Sequence, residues 1–592
     1  MNSKLVASAR GDLPIDVAIE NIRLVNVFSG EIYPAAIGIT GDTIVHVTAP
    51  GVTTLEAKER IDGKGLFAVP GLIDTHLHIE VSMMTPAQYA EAVLVHGTTT
   101  VVTDPHEIAN VLGERGVRYM VDAAKGLDLR MLNVVPSCVP AAPNVETSGA
   151  DFTPEAVEKM LAWEGIHGLA EVMNYHGVIH QDPRMVGILE ANERAGAGKI
   201  VQGHAPRVSG RDLSAYMVAG PNSDHESRTG DEALEKIRAG MIVEIREGSF
   251  SMNLADCAKE IKDMGYLPNV CFCSDDLLPN DILEKGHMNH IVRKAMQEGI
   301  EPVNAIRYAT LNAAQRMERK DLGAIAAGRL ADIVLIEQLE TMKAVDVFAS
   351  GQRVVQEGKL IRQQPNLEPP ADFLETVKLP EITEDDLVLR IEEAGASEAR
   401  IRVIEYDAAP GIPTDFLEVT LPVENGLLRP EAYEGEKGPL CRVAVFHRHG
   451  LNSNRSLGLL AGYGILEGAV ATTVAHDSHN LAVLGVDTKD MVIAANTLRA
   501  SQGGFVAVKN GKVIAHLPLP LAGLMSLETA DTLVPKLKEL VSVLQQEIMP
   551  GKNPIHRMIA VTLPVIPRAK ITDIGLVEVE SQTLLPLVIE TR

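Results

Sequence analysis

Imidazole and carboxylate side chains stand at the ends of successive apolar runs in the first half of the chain. His76 and His78 close the first run, His106 and Glu107 follow the second, and Ser137 follows the third. Glu171, His204, His225 and Glu247 follow the next four, and the doublet Asp275-Asp276 follows the eighth. Such groups gathered in one place would repel and strand one another unless a positive charge sat among them. A divalent ion, or a pair, supplies that charge and accepts these donors. Side chains i and i+2 on a strand share a face, so His76 and His78 can bind one ion together. A lone His-x-His is a weak signal, and His106 alone reads as a loop residue. The ordered set of His-x-His, carboxylate, His, His and Asp carries the inference. A metal that ionises water near neutral pH makes hydrolysis the chemistry to expect. His287 and His290 in HMNH offer a second, weaker pair, and Cys271, Cys273 and Trp163 read as packing material.

The eight runs are Phe67–Asp74, Thr99–Asp104, Leu129–Pro136, Gly168–Glu171, Ile200–His204, Pro221–His225, Met241–Glu247 and Asn269–Asp275. Helical-period segments separate most of them, among them Pro86–Leu94, Pro154–Trp163, Pro183–Ala195, Asp231–Arg238 and Leu254–Met264. Eight strands alternating with helices predict an α/β fold, a (β/α)8 TIM-like barrel over 67–316 whose polar groups meet at the C-terminal ends of the strands. A doubly wound open sheet gives the same alternation and stays open as an alternative. The sixth run is the weakest. Short β-runs flank the barrel at Asp16–Ile19, Ile22–Phe28, Ala36–Ile39 and Thr43–Val47, and again at Ile333–Glu337, Ala344–Phe348, Gln352–Val355 and Lys359–Arg362. Neither patch can bury a core alone, so 1–66 and 317–363 are expected to form one composite β-domain. Gln363–Asp372 reads as a linker. Residues 373–592, with runs at Leu387–Ile391, Ala399–Glu405, Leu417–Thr420, Arg442–Phe446, Ala469–Val474 and Gly504–Lys509 and a helix at Thr532–Met549, predict a C-terminal α+β domain.

Among 592 residues, 54 Lys and Arg against 79 Asp and Glu leave a net charge of −25, which argues against nucleic acid or an anionic membrane held by bulk charge. Five scattered cysteines indicate no disulfide framework and favour a reducing, cytoplasmic setting. The first residues lack the apolar core of a signal peptide, and no apolar stretch is long enough to span a membrane. A homo-oligomer, with a dimer as the base-rate expectation, is the default assembly. The H-x-E and P-C-x-x-C pair of zinc cytidine-type deaminases is only half present, as His78-Ile79-Glu80, and G-x-S-x-G is missing. GYGILEG (Gly462–Gly468) is not a dinucleotide fingerprint.

PGLIDTHLHIE (Pro70–Glu80), HGTTTVV (His96–Val102) and LNAAQRMERKDLGAIAAGRLADIVL (Leu311–Leu335) resemble the amidohydrolase superfamily. Within it the chain is similar to the adenine deaminase family over essentially its whole length. TDPHEIANVLG (Thr103–Gly113), EVMNYHGVI (Glu171–Ile179), VQGHAPRVSG (Val201–Gly210), SDHES (Ser223–Ser227) and CSDDLLPNDI (Cys273–Ile282) carry that likeness. AHDSHN (Ala475–Asn480) and LPLPLAGLMS (Leu517–Ser526) extend it into the last domain. The resemblance implies hydrolysis of adenine to hypoxanthine and ammonia in purine metabolism at a binuclear centre of iron or manganese, with zinc also compatible with the donors. His76 and His78 would bind one ion, Glu171 would bridge, His204 and His225 would bind the other, and Asp275 would contact the first. The doublet leaves Asp275 against Asp276 open.

Whatever the family, attack on a purine carbon needs a donor at a ring nitrogen and a group that carries a proton from water to the departing amine. Asp275 suits the second task. Glu107 is a candidate for the ring-side acid, for orienting a ligand, or for metal ligation, and these stay open. Asp276, His106, Ser137, Asp477 and His479 are candidate substrate contacts, although AHDSHN reads equally as a hydrogen-bonded turn. Another metal-dependent amidohydrolase, acting on a cyclic or acyl amide, and a deaminase of a modified adenine remain the alternatives.

Overall fold

A computed structural model describes residues 3–48, 56–196, 198–409 and 412–592. Parts of the expected β-domain (1–2 and 49–55), barrel (197) and C-terminal domain (410–411) lie outside the described residues. Eight parallel strands form the barrel: β1 (Leu72–Leu77), β2 (Thr98–Thr103), β3 (Arg130–Val135), β4 (Ile166–Val172), β5 (Ile200–Gly203), β6 (Ser223–Asp224), β7 (Ile242–Arg246) and β8 (Val270–Cys273). Strands β1 to β5 pair in chain order, as do β6 to β8. A bridge between Leu77 and Asp275 joins β8 to β1, and the Gly203 N–H donates to Ser223 Oγ at 3.2 Å between β5 and β6. Gly203 permits that approach, since a Cβ there would lie 2.0 Å from the Ser223 carbonyl oxygen. Neighbours follow chain order and the last strand meets the first, so the sheet is closed and the doubly wound alternative is excluded. Helices Pro86–Leu94, Pro154–Leu161 and Pro183–Ala195 open with proline at a position that needs no N–H, and Thr85, Thr153 and Asp182 cap them.

The two flanks meet in one nine-stranded sheet. Phe67–Pro70 is the junction: it pairs in parallel with Arg23–Leu24 and antiparallel with Ile333–Ile336. The expected first barrel run, Phe67–Asp74, is therefore divided, and the 66/67 boundary falls inside the small sheet. The chain changes sheets at Gly71, where a Cβ would sit 2.1 Å from Thr99 Oγ1 and 2.9 Å from Asp332 Cβ. The runs Asp16–Ile19 and Ile22–Phe28 merge into one strand, Ile15–Val25, with a bulge between Ile19 and Ile22.

The last part of the chain builds a ten-stranded sheet. Alternation sorts its strands between two faces: Ala444 and Phe446 pack with Met491, Ala494 and Leu498 of the helix Thr488–Ser501. Val443 and Val445 belong to a core that includes Leu533, Leu537 and Leu540 of the helix Ala530–Val543 and continues into Tyr89 and Ile282 of the barrel. Leu387–Ile391 is not a strand; Glu384–Leu387 is a 3-10 turn, and Arg390 makes only an isolated bridge to Leu427. The expected linker is pinned to the barrel: the Gln364 N–H donates to Glu91 Oε1 at 2.8 Å, and Gln364 Oε1 accepts from the Asp128 N–H at 2.7 Å. Among the described residues no helix is long and apolar enough to cross a membrane.

Candidate metal centre and active site

The strand ends converge on Glu171. His78 Nε2 lies 3.4 Å from Glu171 Oε1 and 3.2 Å from Asp275 Oδ1, and His76 Nε2 lies 3.7 and 3.5 Å from the same two oxygens. On the other carboxylate oxygen, His204 Nδ1 stands at 2.6 Å and His225 Nε2 at 3.4 Å. Donors each about 2.1 Å from one ion lie about 3–3.5 Å from one another, so most of these separations suit shared coordination better than hydrogen bonding. His76 Nε2 is buried and makes no hydrogen bond among the described residues. Burial pushes Glu171 upward, but the His204, His225 and His78 imidazoles outweigh it and hold the carboxyl well below its usual range. Asp275 is held down likewise, against burial, by Arg246 and by His76 and His78. The residues fit one or two divalent ions.

Outer contacts fix the donors. His76 Nδ1 is 3.1 Å from Gln202 Oε1, whose amide donates to the Thr75 carbonyl at 2.7 Å, and His78 Nδ1 is 3.0 Å from the Asp104 carbonyl oxygen. Such partners set the tautomer that presents Nε2 to an ion. Asp275 has a φ of 56°, a left-handed conformation held by its N–H donating to the His76 carbonyl at 3.0 Å. Arg246 bridges Asp275 Oδ2 and Glu226 Oε1.

A cavity of about 710 Å³ opens onto this cluster and is lined by both the barrel and the C-terminal domain. His106, Glu107, Asp276, His476 and Asp477 form part of its wall. Glu107 Oε1 is 2.7 Å from His476 Nδ1, and its other oxygen meets His479 Nε2.

A model of the amidohydrolase family matches residues 67–354, and a model described as the adenine deaminase C-terminal domain matches residues 411–583. A protein named adenine deaminase from Klebsiella pneumoniae (strain 342) is 40% identical over 597 residues, covering 100% of this chain and 96% of its own. The chain belongs to the adenine deaminase family of amidohydrolases. Adenine deaminase 2 of Rhizobium meliloti (strain 1021) is 45% identical over 89% of this chain and 86% of its own. A relative from Desulfatibacillum aliphaticivorans is 39% identical over 98% of both. Membership of this family implies a divalent metal, and the clusters His76–His78–Asp275 and His76–Glu171–His225 could hold one.

Within this adenine deaminase family member, His76, His78, Glu171, His204, His225 and Asp275 are brought together, and Asp275 rather than Asp276 faces the histidines. Asp276 stands in the cavity wall, where burial and the Asp275 charge push it up to about 6. His106 is more than a loop residue: its Nδ1 lies 3.1 Å from Asp104 Oδ2 and 3.6 Å from Glu171 Oε1. Ser137 is not in the wall; its hydroxyl donates to the Glu171 carbonyl at 2.6 Å and ties two strand ends. His479 stands behind Glu107, while its neighbours His476 and Asp477 reach the cavity. Glu247 turns away to Lys294 Nζ at 2.5 Å. His287 and His290 do not pair: His287 bonds Tyr89 and Thr98, and His290 bonds Arg293. Arg246, Glu226 and Gln202 carry no local signal of their role, whereas AHDSHN marks His476 as part of a polar cluster that could reach the barrel mouth.

Proposed function

We propose that the chain hydrolyses adenine to hypoxanthine and ammonia with two divalent ions, manganese or iron, with zinc a suitable substitute. His76, His78, Glu171 and Asp275 would hold one ion, and Glu171, His204 and His225 the other. The observation that carries the reading is the approach of His76 and His78 to one Glu171 oxygen and of His204 and His225 to the other, in a chain that aligns along its length with adenine deaminases. Bound there, metal lowers the pKa of water from about 15.7 toward ~7. The chain's own residues do the rest. Asp275, kept ionised by Arg246, takes a proton from the attacking water and delivers it to the departing amine. Glu107 is held ionised against burial by His476, His479 and His106, which favours an orienting role over that of a ring-side acid. His106, Asp276 and Asp477 are placed to contact the base, whereas Ser137 and His479 act from behind the wall. The expected homodimer belongs to the same proposal, and sedimentation equilibrium tests it.

The test is purification with metal analysis, followed by ammonia release from adenine, from N6-methyladenine and from a panel of cyclic amides. Adenine is expected to be turned over with about two metal equivalents bound. Opening of a cyclic amide without ammonia from adenine would overturn the reading.

A further inference from the structure

We propose that His476, supplied by the C-terminal domain, touches the substrate and donates a proton from Nε2 to N1 of the purine. This deepens the adenine reading and rests on it. The ring is fixed from two sides. Its Nδ1 lies 2.7 Å from Glu107 Oε1, and the second Glu107 oxygen is taken by His479 Nε2. The His476 main chain is tied on both sides, N–H to the Ile559 carbonyl at 3.0 Å and carbonyl to Thr562 Oγ1 at 3.1 Å. The free edge is Nε2: among the described residues it has no hydrogen-bond partner, although His476 is only 7% exposed and stands in the cavity wall beside Asp276 and Asp477. A buried polar atom left unpaired is costly and calls for a partner. A carboxylate behind an imidazole fixes its orientation and stabilises its charged form, leaving the opposite nitrogen to face the reacting group. Burial would drive the ring neutral, but Glu107 overrides it and holds His476 up at about 10, so a proton is there to give.

The chemistry needs such a donor. When water oxygen bonds to C6, the C6–N1 π pair moves onto N1, which takes the proton from Nε2. Of the two protons that water brings, one leaves with the amine as ammonia through Asp275. The other restores His476 as the C6 carbonyl forms. N1 keeps its proton in hypoxanthine, and the sum is adenine and water in, hypoxanthine and ammonia out.

His476→Asn and His476→Gln in the full chain, with metal content and melting temperature checked, test the assignment. The expected result is a kcat lower by about 10²–10⁴-fold with KM within a few-fold. The second readout needs no turnover. Calorimetry of purine and 1-deazapurine, which lack the amine, is expected to give the wild type a preference of about tenfold for purine that both variants lose. Unchanged kcat, or a preference for N1 retained in the variants, would overturn the assignment, the second outcome even if kcat falls. A wild type that shows the N1 preference but releases no ammonia from adenine would sink the adenine reading and leave the His476 contact standing.

Discussion

Arg246 and Glu247 are consecutive, and the strand sends them to opposite faces. Arg246 turns inward between Asp275 and Glu226, and Glu247 turns outward to Lys294. Arg246→Met leaves two buried carboxylates without their cation, at a cost of about 3–5 kcal/mol of stability. Both carboxylates meet the single nitrogen Nη1, so Arg246→Lys, which keeps one charged nitrogen on a differently shaped side chain, recovers part of that loss. Urea unfolding of the three proteins checks the order, and equal stability of the Met variant and the wild type would refute it. At the same scale, Asp275→Asn is expected to cut ammonia release by about 10²–10⁴-fold. The six convergent residues were legible because each stands at a strand end, but Glu247 stands at one too and turns away, and the family resemblance was needed to leave it out. Arg246 was not legible, because a one-residue register decides whether the run Met241–Glu247 presents its arginine or its glutamate to the interior.

Among the elements, the turns after β5 and β6 carry His204 and His225, and one buried lysine locks them together. Lys236, on the helix Gly230–Arg238, donates to the Ala205 carbonyl at 2.7 Å and to Asp224 Oδ2 at 2.9 Å, with Glu232 Oε1 at 2.8 Å. Asp224 Oδ1 in turn accepts from the Ala205 N–H at 2.8 Å. Its side chain is fully buried, so Lys236→Met leaves Asp224 an uncompensated buried charge and loosens both turns. The expected outcome is a clear loss of stability and a 10–100-fold weaker hold on metal, the range seen when an outer-shell partner is lost. Chelator competition followed by metal analysis measures it; a destabilised variant that keeps wild-type metal affinity would refute the link. This element was the hardest to read from the sequence because β6 has two residues and no periodicity to show. Earlier helices of the barrel were readable where Thr-Pro and Asp-Pro marked their starts.

Across the whole molecule, the barrel and the last domain share a seam as well as a core. The barrel segment after β3 enters that seam: the Thr147 N–H donates to Asp573 Oδ1 at 2.9 Å, and Asn480 Nδ2 donates to the Thr147 carbonyl at 2.8 Å. The β-rich texture of the last domain was visible in its runs and AHDSHN was readable as a candidate substrate contact, but no local pattern could say that it meets Glu107, some 370 positions earlier. Glu146 sits in this seam, its Oε1 accepting from the Ala142 N–H at 2.7 Å. Burial, reinforced by the charge of Asp477, pushes its carboxyl from 4.5 up to about 8. Below 4.5 the group is protonated whether the chain is folded or not. Between 4.5 and about 8 the folded chain keeps a proton that the unfolded chain has released, so stability falls as pH rises, and the loss is complete above the folded value. Glu146→Gln keeps the acceptor for Ala142 and removes the titration. The melting temperature of the variant relative to wild type is therefore expected to rise steadily from pH 5 to pH 8 and then level off. A difference that stays constant over that range would mean that Glu146 does not titrate in the seam.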